Sequence, residues 1–250
     1  MINNKKVIAF DLDGTLAESK SKLTGEMSEV LAKLLEKYYI AVISGGAYGQ
    51  FQKQFLSSFS APKEFLKNLY LFPTMGSTCY KYDEESSEWK MLYEERLAPE
   101  EIKKIINAFN EAILESGYDL SGSYGEILED RGTQVTFSGR GQEAPADVKG
   151  AWDPDRLKRG LLVSLLKKKI PEFDIRIGGM SSIDVTKLGI DKAYAIGKIR
   201  KLLNVTDDEI MFVGDALYKG GNDAPVKKTD VDFIQPDDPS DTLEILKQYI

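Results

Sequence analysis

The chain has 250 residues, 33 Lys and Arg against 40 Asp and Glu, and no histidine. A net charge of −7 argues against a protein that grips nucleic acid or an acidic membrane face. The single Cys79 excludes an intramolecular disulfide framework and a multi-cysteine zinc site, and the missing histidines remove Ser–His–Asp triads, Cys–His pairs and imidazole metal ligands together.

Val7-Ile8-Ala9-Phe10 is a short apolar run ending in acids, the pattern of a buried parallel strand. It is too short for a signal peptide, and no stretch approaches the roughly 18 apolar residues of a membrane span. The expectation is a soluble, cytoplasmic protein without membrane or nucleic-acid partners. Apolar residues at Met27, Val30, Leu31, Leu34 and Leu35 have a helical period, predicting a helix over 27–37. Ile40–Ile43 reads as a second buried strand stopped by Ser44-Gly45-Gly46, followed by a helix over 48–55 and a third strand over 69–72. Such alternation means βαβ units and a parallel sheet.

The character then changes. Residues 78–82 and 90–93 read as a hairpin, and 97–116 as an amphipathic helix opened by Pro99. Strand-like pieces follow at 126–128, 134–137, 174–177 and 182–185, with a helix over 154–168 among them. The parallel pattern returns with a helix over 191–203, strands at 210–213 and 231–233, and a helix over 241–249. The expected architecture is α/β, with a parallel-sheet core at 1–93 and 188–250 interrupted by an α+β module at 94–187.

Three strands stop at polar or Gly-rich turns: Asp11-Leu12-Asp13-Gly14-Thr15, Ser44-Gly45-Gly46, and Gly214-Asp215 trailed by Gly220-Gly221-Asn222-Asp223. Ligands bind outside the carboxyl ends of strands in open α/β sheets. Gathered there, Asp11, Asp13, Asp215 and Asp223 would repel unless a cation sat among them, and oxygen donors point to a hard ion such as Mg²⁺. The glycines let backbone N–H groups approach an anion, and Ser44 adds a hydroxyl. Acids, a hard cation and an anion cradle describe phosphoryl transfer. Asp11 is placed to take the phosphoryl group as an aspartyl-phosphate, Asp13 to protonate the leaving oxygen, and Lys187 or Lys192 to neutralise phosphate charge. The structural alternatives are helix capping for Asn222 and Asp223 and a helix start for Ser44-Gly45-Gly46.

Asp11-Leu12-Asp13-Gly14-Thr15-Leu16 resembles the first motif of the haloacid dehalogenase-like (HAD) phosphotransferase superfamily. Ser44, a later helix lysine and the Gly214-Asp215 turn with Asn222-Asp223 match its other motifs in order. The resemblance implies a HAD-like Rossmannoid core with an inserted C2B-type α+β cap. It also implies Asp11 as nucleophile, Asp13 as general acid/base, Ser44, Gly45 and Lys192 on the phosphoryl group, and Asp11, Asp13, Asp215 and Asp223 around Mg²⁺.

Over nearly the whole chain the sequence resembles the α-phosphomannomutases of subclass IIB. Gly178-Gly179-Met180-Ser181-Ser182-Ile183-Asp184-Val185 is similar to their cap sequence, and Gly189-Ile190-Asp191-Lys192 selects Lys192 as the motif lysine. This implies a sugar-phosphate ligand, Ser182 and Asp184 as cap residues touching it, and a homodimer through the cap. Arg131 aligns with the first of the family's cap arginines, whereas Gln142 and Lys149 stand at the second and third and Lys20 replaces another near the first motif. Arg140, two residues from Gln142, is the candidate substitute. An ion pair with Glu129 or Asp130 is the structural alternative for Arg131. An amide or ammonium does not reproduce a guanidinium fork, and a weaker distal clamp favours water as acceptor. The expected function is a mannose 1-phosphate/6-phosphate mutase acting through phospho-Asp11, with a sugar-phosphate phosphatase as the alternative. A non-catalytic relative would have no need of the acid cluster. Lys167–Lys169 and Lys227–Lys228 are expected to be solvated, Phe51, Phe55, Phe59 and Phe65 to pack, and Cys79 to be inert.

Overall fold

A computed structural model describes residues 4–250. Along the chain lie β1 (Val7–Asp11), α1 (Gly25–Leu34), β2 (Tyr39–Ile43), α2 (Tyr48–Phe51) running into a π-helical turn (Gln52–Leu56), α3 (Lys63–Leu66), β3 (Leu69–Phe72), β4 (Thr78–Asp83) and β5 (Glu88–Glu94). Next come α4 (Pro99–Ser116), β6 (Leu128–Asp130), β7 (Gln134–Ser138), α5 (Ala146–Trp152), α6 (Leu157–Lys169), β8 (Phe173–Gly178) and β9 (Ser182–Lys187). The last are α7 (Lys192–Leu203), β10 (Ile210–Val213), β11 (Asp232–Ile234) and α8 (Pro239–Leu246). Two compact units result: one runs to Glu94 and resumes at Ile190, and the other spans Glu95–Gly189.

The first unit is built on a seven-stranded sheet ordered β11-β10-β1-β2-β3-β4-β5. The strands from β11 to β3 are parallel, and β4 and β5 add an antiparallel hairpin. Continuous apolar runs are needed because both sheet faces are covered. Ile8, Phe10, Ile40 and Val42 join Leu31 and Leu34 of α1 in one core, while Val7, Ala9, Ala41 and Ile43 join Ile196 and Ile199 of α7 in the other. Helix α1 starts where Thr24 Oγ1 accepts the Met27 N–H at 3.2 Å. Strand order reverses at β1, with β2 on one side and β10 on the other, so their carboxyl ends form a topological switch point.

The second unit has an antiparallel sheet ordered β6-β7-β9-β8. Strand alternation divides it into two faces. Val135, Phe137, Ile175, Ile183 and Val185 bury against Ile105, Phe109 and Ala112 of α4 and Leu162 and Leu166 of α6. Gln134, Thr136, Ser138, Ser182, Asp184 and Thr186 share the other, polar face.

The structure departs from the sequence expectation in several places. The helix expected over 154–168 begins at Leu157, because Arg156 is left-handed at φ 61° and the Asp153 carboxylate takes the Lys158 and Arg159 N–H groups. The helix Ala146–Trp152 before it was not anticipated. The strand expected at 126–128 is Leu128–Asp130, the register that puts Leu128 opposite Phe137. Finally, the helix over 48–55 is α-helical only to Phe51, then widens into the π turn.

Candidate active site

Asp11 ends β1 and is 2% exposed. One ligand oxygen each from Asp11, Asp215 and Asp223 lie within 4.8 Å of one another, forming the metal-capable acid group found among the described residues. Lys192, the first residue of α7, is fully buried beside them. Its Nζ lies 2.5 Å from Asp11 Oδ1 and also bonds Asp223 Oδ1. The ammonium also sits over the Phe212 ring, 5.8 Å from its centroid.

Three carboxylates around one ammonium leave an excess of negative charge. Burial pushes the Asp11 carboxyl well above its ordinary pKa, and Asp223 and Asp215 push in the same direction against the pull of Lys192. Asp215 is raised too, first by burial. Burial alone would lower Lys192, but Asp11 and Asp223 outweigh it and its pKa is raised. A hard cation suits this set: every donor is a carboxylate oxygen, as Mg²⁺-type ions require, and added positive charge offsets the excess.

Local sequence explains the placement. Asp215 N–H donates to Thr15 Oγ1 at 3.0 Å and Thr15 Oγ1 donates back to Asp215 Oδ1 at 3.1 Å, tying the β1 turn to the β10 turn. Gly14, at φ +87°, passes beneath that carboxylate, and a Cβ there would stand 2.8 Å from Asp215 Oδ2. Asp223 Oδ2 accepts the Ala216 N–H at 3.0 Å. Its side chain therefore closes the 214–223 loop and pairs with Lys192 rather than capping the following turn.

Asp13 was expected with the other acids and stands outside the three gathered carboxylates. Its Oδ1 accepts Lys20 N–H at 2.8 Å and Gln54 Nε2 at 2.9 Å, and its Oδ2 accepts Gln50 Nε2 at 3.0 Å. Sequence reasoning passed over Gln50, Gln54 and the role of Thr15. The recurrence of Gln at i and i+4 directly after Ser44-Gly45-Gly46 was the available signal. Ser44 is buried, its Oγ accepting the Gly46 N–H at 3.1 Å, with Gly45 part-buried beside it after β2. Lys187, the alternative cation to Lys192, ends β9 in the second unit.

In the second unit, Asp184 accepts Gln134 Nε2 and Thr136 Oγ1, both at 2.8 Å. Burial raises its pKa, and the Arg131 guanidinium partly opposes this. Arg131 makes the ion pair considered as its structural alternative: Nε and one terminal nitrogen lie 2.8 and 2.7 Å from Glu129 Oε2. Lys149 is buried, donating to the Gln142 carbonyl at 2.6 Å, and Gln142 Nε2 reaches the Thr136 carbonyl at 3.2 Å. Ser182 pairs in register with Ser138 and Gly178. Arg140 reaches the Ser121 and Gly122 carbonyls at 3.4 and 3.3 Å.

Residues 27–250 match the family described as eukaryotic phosphomannomutase. Among curated proteins, the chain is 27% identical to the Schizosaccharomyces pombe phosphomannomutase, covering 98% of this chain and 94% of that one. It is 28% identical to phosphomannomutase 2 of Dictyostelium discoideum, over 100% of this chain and 98% of that one. Among solved structures, a haloacid dehalogenase-like hydrolase from Bacteroides thetaiotaomicron superposes with a TM-score of 0.63 at 17% identity, covering 98% of this chain and 100% of that one. The Plasmodium falciparum IMP-nucleotidase gives 0.72 at 17% identity, covering 99% and 62%. These two show a shared fold. With the family match covering residues 27–250 and the acids gathered at the ends of β1 and β10, the chain belongs to the eukaryotic phosphomannomutase family of HAD-like phosphotransferase enzymes.

Proposed function

We propose that the protein is a Mg²⁺-dependent phosphomannomutase, interconverting mannose 1-phosphate and mannose 6-phosphate through phospho-Asp11. The observation that carries this reading is the buried Lys192 between Asp11 and Asp223, with Asp215 completing an all-oxygen ligand group at the sheet's switch point. Asp11, Asp215 and Asp223 would hold the ion. When bound, the ion supplies charge neutralisation at the transferring phosphoryl group.

Asp11 attacks phosphorus, forming a P–O bond to its carboxylate as the bond to the sugar oxygen breaks. Asp13 gives its proton to that leaving oxygen. In the return half-reaction Asp13 takes the proton of the accepting sugar hydroxyl, the new P–O bond forms and the bond to Asp11 breaks. Ser44, Gly45 and Lys192 hold the phosphoryl oxygens. Arg131, Ser182 and Asp184 bind the sugar phosphate, with Arg140, Gln142 and Lys149 as further cap contacts. The division into a core at 1–93 and 188–250 and a cap at 94–187, the cytoplasmic setting and a homodimer through the cap belong to the same reading. Exposed Leu114, Leu157 and Leu161 on α4 and α6 favour the dimer. Among the described residues, no helix is long and apolar enough to cross a membrane.

One observation favours a sugar-phosphate phosphatase as the second reading. Lys149 and Gln142 bond within their own unit, Lys149 to a carbonyl, and neither offers a guanidinium fork. Water in place of the sugar hydroxyl would then release inorganic phosphate from Asp11. Incubation with Mg²⁺ and mannose 1-phosphate, with and without a hexose bisphosphate activator, separates the two. Mannose 6-phosphate without net phosphate release is the expected result; free phosphate alone establishes the second reading, and silence across sugar phosphates removes both.

A further inference from the structure

The amide pair on Asp13 has no part in the catalytic roles assigned above. Gln50 Nε2 spans two acceptors, Asp13 Oδ2 at 3.0 Å and Gln54 Oε1 at 2.9 Å, while Gln54 Nε2 takes Asp13 Oδ1 at 2.9 Å. The three side chains close a ring of hydrogen bonds. Gln54 is 3% exposed, and its carbonyl accepts the Leu23 N–H at 3.2 Å, which fixes it from behind.

The backbone is shaped for this ring. Gln50 lies on α2 and Gln54 in the π turn, where Ser57 N–H reaches back five residues to the Gln52 carbonyl at 3.0 Å. Single π turns inside helices are often found at functional sites. Gly46 is part of the same construction: a Cβ there would stand 2.2 Å from Gln50 Oε1, so glycine lets the Gln50 amide stand where it does without shifting.

A carboxylate offers about four lone-pair positions on two oxygens. Lys20 N–H and Gln54 occupy both on Oδ1, and Gln50 occupies one on Oδ2, leaving the fourth, also on Oδ2, outside the ring. We infer that Gln50 and Gln54 are positioning residues that lock the Asp13 carboxyl so that Oδ2 carries the proton exchanged with the sugar oxygen. The inference rests on the phosphoryl-transfer reading and deepens it: the pair acts on protonation of the leaving group and leaves attack by Asp11 alone.

Leaving-group dependence tests it. A sugar alkoxide needs a proton as it departs, whereas nitrophenolate leaves without one. Gln50→Leu and Gln54→Leu, made in the full chain and assayed with Mg²⁺, are compared with wild type on mannose 1-phosphate and p-nitrophenyl phosphate. Misplacing a general acid typically costs 10²–10⁴-fold, so in single-turnover measurements, which precede the return half-reaction, each variant is expected to lose about a hundred-fold in the rate of sugar-ester cleavage and about ten-fold or less in that of nitrophenolate release. KM for both esters should stay within about three-fold, because the pair acts in the transition state. Equal losses on the two esters, or a loss carried by KM, would overturn the inference. Gln50 is only part-buried, so Gln50→Leu, with its thermal melt matched to wild type, decides the matter if Gln54→Leu does not fold. A wild type inert toward both esters would remove the proposed function itself, and this inference with it.

Discussion

Lys192 Nζ lies 2.5 Å from Asp11 Oδ1 with both side chains shut away from solvent, and the same ammonium bonds Asp223. One cation thus compensates two buried carboxylates while a third, Asp215, stands beside them. Removing one partner of a buried charge cluster leaves the others uncompensated. Lys192→Met is expected to destabilise the protein by about 3–5 kcal/mol in urea unfolding and to abolish turnover. Added Mg²⁺ should recover part of the lost stability by supplying the missing positive charge. An unchanged urea midpoint would contradict this electrostatic account.

A second buried pair shapes the other unit. Arg159 Nε lies 2.7 Å from Asp153 Oδ2, and one terminal nitrogen reaches the Gly178 and Gly179 carbonyls at 2.8 and 2.9 Å. Arg159→Met should cost about 3–5 kcal/mol, while Asp153→Asn combined with Arg159→Met should cost less than the single change.

The same pair carries a pH signature. Burial alone would raise the Asp153 pKa, but bonds from Arg159 and from the Lys158 and Arg159 N–H groups outweigh it and the pKa is lowered. Its stabilising contribution is therefore full above the unfolded carboxyl value of about 3.9 and fades as the pH falls through the lower folded value. Unfolding followed between pH 6 and pH 2 should show this loss in wild type and a shallower one in Arg159→Met.

Much of this was legible in the sequence, for a physical reason. Strands covered on both faces must be apolar throughout, so Val7–Phe10, Ile40–Ile43, Leu69–Phe72 and Ile210–Val213 announced themselves, and the turns after the first and the last of them displayed the acids. The π turn was hidden because the apolar spacing of Phe51 and Phe55 suits an ordinary helix equally well. Leu157 could not be read as the start of α6, since the left-handed Arg156 and the Asp153 carboxylate act through geometry rather than composition. The partners of Asp13 were hidden for a related reason: glutamine gains its role only when its amide is seen on a carboxylate.

Cys79 provides a check on the core. Burial pushes its thiol up to about 12, far above the pH of ordinary labelling reactions. Iodoacetamide at pH 8 is expected to leave the native protein unmodified and to label it fully in urea. Rapid native labelling would mean that the sheet around Cys79 opens readily.

The balance between sugar and water as acceptor should respond to the distal clamp. Gln142→Arg introduces a bidentate phosphate donor next to Thr136, and should raise isomerised sugar relative to released phosphate. An unmoved ratio would detach that balance from the identity of residue 142.

The phosphoryl group's passage through Asp11 is tested most directly by acid-quenching the enzyme with Mg²⁺ and phosphate-labelled hexose 1,6-bisphosphate, then mapping the label. The expected result is one hydroxylamine-labile phosphate per chain on Asp11, with neither label nor turnover in Asp11→Asn. Turnover without protein-bound label, or turnover surviving in Asp11→Asn, would contradict it.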